Sequence, residues 1–251
     1  AEVPMTFVAD SGGTMHCYVE TSDYPLTFDN RLFFSLNVAQ SLHVLLSGKE
    51  NTYFAKLFTT DSAILFQYND ARSIDLSRLA DNDLLILNQF SAIPSGLATA
   101  VQNYVADGGT VLVVPAPDVD IQSYNAMLAA MQAPQLGVWN ASKASVATLN
   151  RESSLYRGVF NGKNDEAMEL PSVSGYYTIN MGATTLAEPL MSLAAGQPCL
   201  TLTDHGSGRL YLTSFPIETD YTDFAQQALF VPTFYNMALY SRSPALPYYP
   251  F

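Results

Sequence analysis

The side chains best suited to nucleophilic or metal chemistry are few in this 251-residue chain, and they lie far apart. There are three histidines, His16, His43 and His205, and two cysteines, Cys17 and Cys199. Zinc sites draw their ligands from short, characteristic spacings, which are absent from this sequence. We therefore predict no metal site and no cofactor. The cysteines are interpreted as two separate buried thiols, and a disulfide between them stays open.

Two acidic residues near the ends of predicted strands offer a different chemistry. Asp118 follows a strand at its carboxyl end, where open α/β sheets commonly bind ligands, and Glu218 follows a later strand. Two convergent carboxylates with different pKa values could serve as acid and base in a hydrolase or transferase. Calcium binding by Asp118 and Asp120, together with Asp10, Asp23 or Glu218, is another alternative. Helix capping and solvation explain these aspartates more simply.

Composition limits the classes of function. The net charge is −12, from 11 basic and 23 acidic residues, so the surface repels phosphates and anionic membranes. We predict no nucleic acid partner. Hydrophobic residues make up 48% of the chain and charged residues 14%, which indicates a sizeable core. No apolar run is long enough to span a bilayer. The chain is interpreted as a piece of a longer protein, with any membrane segment outside it.

The elements that must position the acidic residues centre on residues 81–115. An unbroken apolar run from Leu84 to Leu87 predicts a parallel strand that is covered on both faces. Pro94 suits the first turn of a helix, and Gly108-Gly109 ends that helix. A second buried strand is predicted at 111–114. Together these elements predict a right-handed βαβ unit.

The chain is predicted to consist of three parts. Residues 1–40 hold short β-type runs and turns, interpreted as the end of a β-sandwich or as strands added to the next sheet. Residues 41–243 form an α/β domain, and residues 244–251 form a tail whose tyrosines suggest a partner. Further predicted elements are strands at 5–8, 42–46, 64–68, 176–179 and 188–193, helices at 51–58, 123–131 and 229–240, a hairpin of 199–203 with 209–214, and an exposed excursion at 160–169.

Three segments taken together resemble a known family. They are LTFDNRLFFSL at 26–36, LLILNQFSAIPSGLATAVQNYVADGGTVLVVP at 84–115 and GSGRLYLTSFPIETDYTDFAQQALFVPTFYNMAL at 206–239. They resemble the class I glutamine amidotransferase-like domain of bacterial aerotolerance-type membrane proteins, which often carry a von Willebrand factor A-like domain. The resemblance implies a three-layer, flavodoxin-like α/β fold with a parallel central sheet, preceded by a short β-sandwich remnant. It also implies a location on the extracytoplasmic (periplasmic) face of the bacterial inner membrane.

The resemblance also places the catalytic residues that such a fold would need. Active amidotransferases of this fold carry a cysteine on a strained turn after a central strand, with a histidine and a glutamate later in the sequence. The turn falls at Pro115-Ala116-Pro117-Asp118, which contains no Cys, Ser or Thr. The later segment, Ser214 to Glu218, keeps the glutamate and has no histidine. Acyl transfer by this route is excluded, because it needs both a nucleophile and a base.

The favoured function is therefore a non-catalytic interaction or ligand-sensing module of a larger bacterial membrane protein. Its partners would be other domains of the same or an associated envelope protein, and a membrane would be contacted only through segments outside this chain. Two alternatives stay open: a hydrolase or transferase that uses cleft carboxylates, and a carbohydrate-binding or structural domain. The predicted ligand cleft and degenerate turn comprise Asn88, Gln89, Pro115, Ala116, Asp118 and Glu218.

Overall fold

The computed structural model describes residues 13–21, 30–38, 41–160, 169–182 and 185–241. Four predictions concern other residues and lie outside the described part of the chain. They are the strand at 5–8, the calcium ligands Asp10 and Asp23, most of the excursion at 160–169, and the tail at 244–251.

Strands outnumber helices in the described residues. The strands are β1 (Gly13–Glu20), β2 (Arg31–Val38), β3 (Leu42–Gly48), β4 (Ile64–Asn69), β5 (Leu84–Asn88), β6 (Thr110–Val114), β7 (Gln135–Asn140), β8 (Ala144–Leu149), β9 (Ser172–Val173), β10 (Tyr176–Asn180), β11 (Glu188–Leu193), β12 (Pro198–His205) and β13 (Gly208–Thr213). The α-helices are α1 (Thr52–Thr59), α2 (Ser95–Ala106), α3 (Ile121–Ala130) and α4 (Phe230–Leu239).

A nine-stranded mixed sheet in the order β4-β3-β5-β6-β13-β12-β11-β8-β9 forms the centre of the described structure. The strands from β4 to β13 in this order pair in parallel, and those from β13 to β9 pair antiparallel. The predicted three-layer, flavodoxin-like fold with a parallel central sheet is therefore wrong. The second half departs from it because Gly206-Ser207 alone joins β12 to β13, and such short connections allow only antiparallel pairing.

Two hydrophobic clusters, one on each face of the sheet, form the core. Helices α1 and α4 pack on one face, and helices α2 and α3 pack on the other. All five residues of β5 and all five of β6 are buried, which accounts for the apolar runs at 84–87 and 111–114. Aromatic rings dominate the contact between α1 and α4, where the centroids of Phe54 and Phe234 lie 5.0 Å apart in an edge-to-face arrangement.

Two smaller sheets accompany the central one. Strands β7 and β10 pair with each other, and β1 pairs with β2 in an antiparallel ribbon. The ribbon exposes Tyr18, Leu32 and Phe33, and two strands alone are only marginally stable in water. The division into residues 1–40 and 41–243 stays a prediction. Among the described helices, none combines the length and apolar character that a bilayer crossing requires.

Candidate functional site

The carboxyl ends of three parallel strands meet at one edge of the central sheet. Gly48 at the end of β3 pairs with Asn88 at the end of β5, and Asn88 pairs with Val114 at the end of β6. Open sheets of parallel strands usually bind their ligands at this edge. The predicted residues Asn88 and Gln89 therefore lie beside the turn that begins at Pro115.

Glu218 comes to this edge from the segment that follows β13. Its Oε1 lies 2.5 Å from Lys49 Nζ and accepts a hydrogen bond from Gln89 Nε2 at 2.9 Å. The Lys49 side chain is 55% exposed and the Glu218 side chain 24%, so the contact remains open to solvent. We call Lys49, Gln89 and Glu218 the polar edge cluster. It joins the ends of two neighbouring strands to a segment far along the chain.

Gln89 has an unusual backbone conformation, with a φ of 55°. Residues with a Cβ rarely enter this left-handed region, and such conformations gather at ligand clamps and active sites. The Gln89 amide donates to the Val114 carbonyl at 2.8 Å, so the pairing of β5 with β6 continues through the strained residue. Gln132 shares this φ, but it follows the end of α3, where a left-handed residue is ordinary. Gln89 is thus the clearer local indication of a functional site.

Asn88 supports the cluster from within the protein. Its side chain is completely buried, and Nδ2 donates to the Lys49 carbonyl at 2.6 Å. Its Oδ1 has no hydrogen-bond partner among the described residues. Gly48 has a φ of 113°, and a Cβ at that position would lie 2.1 Å from the Asn88 carbonyl oxygen. Only glycine therefore lets these two strand ends approach so closely.

Asn51 links helix α1 to the segment that carries Glu218. Its Oδ1 accepts hydrogen bonds from the amides of Tyr53 and Phe54, which caps the helix. Its Nδ2 donates to the Ile217 carbonyl at 2.8 Å, and the Asn51 side chain is buried. One side chain thus satisfies both the helix start and the backbone beside Glu218.

The turn after β6 is packed and held in place. Pro115 is buried, and Ala116 and Pro117 are half-buried. The Tyr177 hydroxyl donates to the Pro117 carbonyl at 2.9 Å and accepts from the Val119 amide at 3.3 Å. Burial raises the pKa of Tyr177, so the hydroxyl stays protonated and can donate. Side chains thus fill and fix the position where the resemblance placed a nucleophile.

Asp118 and Glu218 have different surroundings, and their role as an acid–base pair stays a prediction. Asp118 is exposed, whereas Glu218 is engaged by Lys49 and Gln89. Among the contacts of the described residues, neither a hydrogen bond nor an ion pair joins the two carboxylates. Asp120 caps α3 by accepting from the Gln122 amide at 3.1 Å, which confirms the capping interpretation for that residue.

Three aromatic rings border the same edge. The ring centroid of Trp139 lies 4.9 Å from that of Tyr177 and 5.9 Å from that of Tyr221, both in edge-to-face arrangements. The Tyr221 amide donates to the Glu218 carbonyl at 2.9 Å, so this ring belongs to the turn that carries the carboxylate. Trp139, Tyr177 and Lys49 lie at this edge but were not predicted as site residues from the sequence. One signal was present, because Trp139 is the chain's only tryptophan.

The remaining chemistry-bearing residues lie elsewhere. Burial raises the pKa of the Cys199 thiol to about 12, and Cys17 is a free thiol on the β1–β2 ribbon. His43 is only half-buried, and its Nδ1 lies 2.9 Å from the Asp81 carbonyl oxygen near the amino end of β3. No group of three or more His, Cys, Asp or Glu residues in the described ranges is arranged to hold a metal ion.

The chain matches no protein-family model and no curated protein, but it is similar to solved structures. Cytoplasmic protein STM1381 from Salmonella typhimurium LT2 is 15% identical with a TM-score of 0.60, over 92% of this chain and 98% of that one. Cytoplasmic protein STM3548 from Salmonella typhimurium is 12% identical with a TM-score of 0.59, over 91% and 96%. A β-galactosidase from Rahnella sp. R3 is 14% identical with a TM-score of 0.56, over 81% of this chain and 31% of the enzyme. Such identities establish a shared fold alone.

These comparisons correct two predictions. The neighbours described above are cytoplasmic proteins and a glycosidase, so the resemblance to an amidotransferase-like domain of aerotolerance-type membrane proteins is wrong. The predicted extracytoplasmic location is wrong as well, because the two neighbours that span nearly the whole chain are both named cytoplasmic proteins. The resemblance rested on the order of three segments, at 26–36, 84–115 and 206–239, which consist largely of buried strands and helices. Those patterns report burial and recur in unrelated sheets, so they do not identify a family.

Proposed function

We propose that this protein is a non-catalytic binding module that recognises a partner or a small ligand at the carboxyl edge of its parallel strands. The observation that carries the proposal is the strained backbone of Gln89, whose side chain is held by Glu218 within the polar edge cluster. A left-handed glutamine after a central strand costs on the order of 1 kcal/mol or more, and it fills no space in the core. A role in ligand binding would explain why this strained conformation of Gln89 is present.

The surrounding chemistry supports binding over turnover. The turn at Pro115 to Asp118 offers no nucleophile. The Cys199 thiol is buried and protonated at neutral pH, so it is neither reachable nor reactive. Glu218 is already paired with a cation and an amide, whereas a general acid is usually a carboxyl group in an apolar setting that raises its pKa.

The free bonding capacity of the cluster indicates the type of ligand. The Lys49 ammonium group has three donors, of which Glu218 occupies one, and Gln89 Oε1 can accept a hydrogen bond. The half-buried rings of Trp139 and Tyr221 add apolar faces beside the Glu218 turn. Donors, an acceptor and aromatic faces together suit a neutral ligand rich in hydroxyl or amide groups, such as a saccharide or a peptide backbone. The acidic surface of the chain disfavours phosphate esters.

Fluorescence of the single tryptophan tests the proposal, because Trp139 reports on this edge alone. Neutral mono- and oligosaccharides and blocked dipeptides would be titrated into the full chain while its emission is followed. We expect a saturable change in emission, and we expect Lys49→Met and Gln89→Ala to weaken binding about tenfold, or about 1.4 kcal/mol. Lys143→Met is the matched control, because Lys143 is exposed on a different loop. The Lys143→Met protein should bind the probe normally.

The same protein would be assayed for hydrolysis of glutamine, p-nitrophenyl esters and p-nitrophenyl glycosides. Turnover that disappears in Glu218→Gln and persists in the exposed control Glu152→Gln would replace the binding proposal with the carboxylate-enzyme alternative. Binding of a probe that neither Lys49→Met nor Gln89→Ala weakens would show that the polar edge cluster is not the site.

A further inference from the structure

A groove of about 410 Å³ lies between helices α1 and α4. Its apolar lining includes Tyr53, Leu57, Phe230, Val231 and Tyr235, and we call these five residues the aromatic groove. Val231 is 54% exposed although it is apolar. An apolar surface that stays open between two helices is typical of a site that another segment covers.

The aromatic groove has a rigid floor and a fixed wall. Phe230 packs against the buried rings of Phe54 and Phe234, with centroid distances of 6.1 and 4.9 Å. On the wall, the Tyr235 hydroxyl donates to Asp61 Oδ2 at 2.5 Å, which fixes the orientation of the Tyr235 ring. The groove is therefore formed in advance, and the side chains that line it would not have to become ordered when a segment binds.

Grooves lined by fixed aromatic rings commonly bind proline-rich segments in the polyproline II conformation. This chain carries such a sequence in residues 244–251, PALPYYPF, with prolines at 244, 247 and 250. A polyproline II helix has three residues per turn, so a spacing of three places these prolines on one face. Proline also loses little conformational entropy when it is held, which favours docking.

We propose that the aromatic groove binds the proline-rich segment 244–251 of the same chain. The segment begins three residues after Ser241, which follows α4, and α4 itself forms one wall of the groove. The nine residues from Val231 to Leu239 cover about 12 Å along α4. Residues 244–250 would cover about 19 Å as polyproline II. The segment is therefore long enough to turn back and lie along the groove.

Cysteine cross-linking in the full chain tests this proposal. Val231→Cys would be combined with Tyr248→Cys in a Cys17→Ser background, and disulfide formation under mild oxidation would be followed on non-reducing gels. We expect an intramolecular cross-link that forms at least about tenfold faster than in a control with Val138→Cys, because Val138 is equally apolar and 70% exposed on β7. Replacement of all three prolines by alanine should slow the reaction toward the control rate.

A second attachment point keeps the test informative if Val231→Cys disturbs the helix. Thr60 lies at the exposed rim of the same groove, so a cysteine introduced by Thr60→Cys should also cross-link to the one introduced by Tyr248→Cys. Equal rates for the groove and control positions would overturn the proposal. Disulfide-linked dimers in place of monomers would also overturn it, because they would show that a second copy supplies the segment.

Discussion

Replacement of Asn51 should cost more than the loss of an ordinary helix cap, because this side chain has two structural roles. It caps α1 through Oδ1, and through Nδ2 it satisfies the Ile217 carbonyl, which belongs to a fully buried residue. Asp120 is the natural comparison. It caps α3 through a single hydrogen bond to Gln122, and it is exposed.

The expected magnitudes follow from these contacts. Loss of a cap costs about 1 kcal/mol, and a buried carbonyl left without a donor costs about 1–3 kcal/mol. Asn51→Ala should therefore lower the free energy of unfolding by about 2–4 kcal/mol. Asn51→Ser can keep the cap but not the bond to Ile217, so it should cost about 1–3 kcal/mol. Asp120→Ala should cost about 1 kcal/mol.

Urea denaturation followed by Trp139 fluorescence and by circular dichroism measures these differences. Both probes should give the same midpoint, and the slope of the free energy against urea should not change among the variants. If Asn51→Ala and Asp120→Ala destabilise the protein equally, within about 0.5 kcal/mol, the bond to Ile217 contributes nothing to stability. A smaller loss for Asn51→Ala in the Glu218→Gln background would show that the two residues act together.

Three further predictions concern other parts of the chain. Gly48→Ala should destabilise the protein by more than about 3 kcal/mol in urea denaturation. The new Cβ would collide with the Asn88 carbonyl oxygen, and Gly48 itself has a positive φ that disfavours alanine. Of the two free thiols, only Cys17 should react with a thiol reagent at pH 8 without denaturant, because Cys199 is buried with its pKa raised to about 12. The pKa of Asp61 is lowered, first by the hydrogen bond from Tyr235. The stability that Asp61 contributes is therefore present above its unfolded pKa of about 3.9 and is lost as the pH falls through the lowered value. Tyr235→Phe should consequently destabilise the protein at pH 7 more than at pH 2.5, as followed by thermal unfolding.

Each of these predictions has a control. Gly196→Ala also places an alanine at positive φ, but nothing lies within 4 Å of its Cβ, so it should cost only the backbone strain. Both cysteines should react in denaturant, and Cys17→Ser should abolish native labelling; rapid labelling of Cys199 in the native protein would contradict its burial. A pH-independent effect of Tyr235→Phe would show that its bond to Asp61 does not perturb that carboxyl.

Local sequence patterns sufficed to predict the strand, helix and strand that became β5, α2 and β6. A strand buried on both faces must be apolar throughout, so burial is visible in the sequence alone. The pair Gly108-Gly109 also predicted where α2 ends. The structure requires glycine at both positions, because Gly108 has a φ of 111° and a side chain on Gly109 would overlap the Tyr104 ring. The absence of a nucleophile from residues 115–118 needed no structure either, since it depends only on residue types.

The sequence alone could not supply the strand order or the polar edge cluster. Gln89 and Glu218 are 129 positions apart, and they meet only because β13 pairs with β6 at the centre of the sheet. An apolar run records that a strand is buried, but it does not record which strand lies beside it or in which direction. The neighbour and direction of each strand depend on the lengths of the connecting loops and on the packing of helices against the two faces of the sheet. The contacts of Glu218 with Lys49 and Gln89 were therefore decided by tertiary structure.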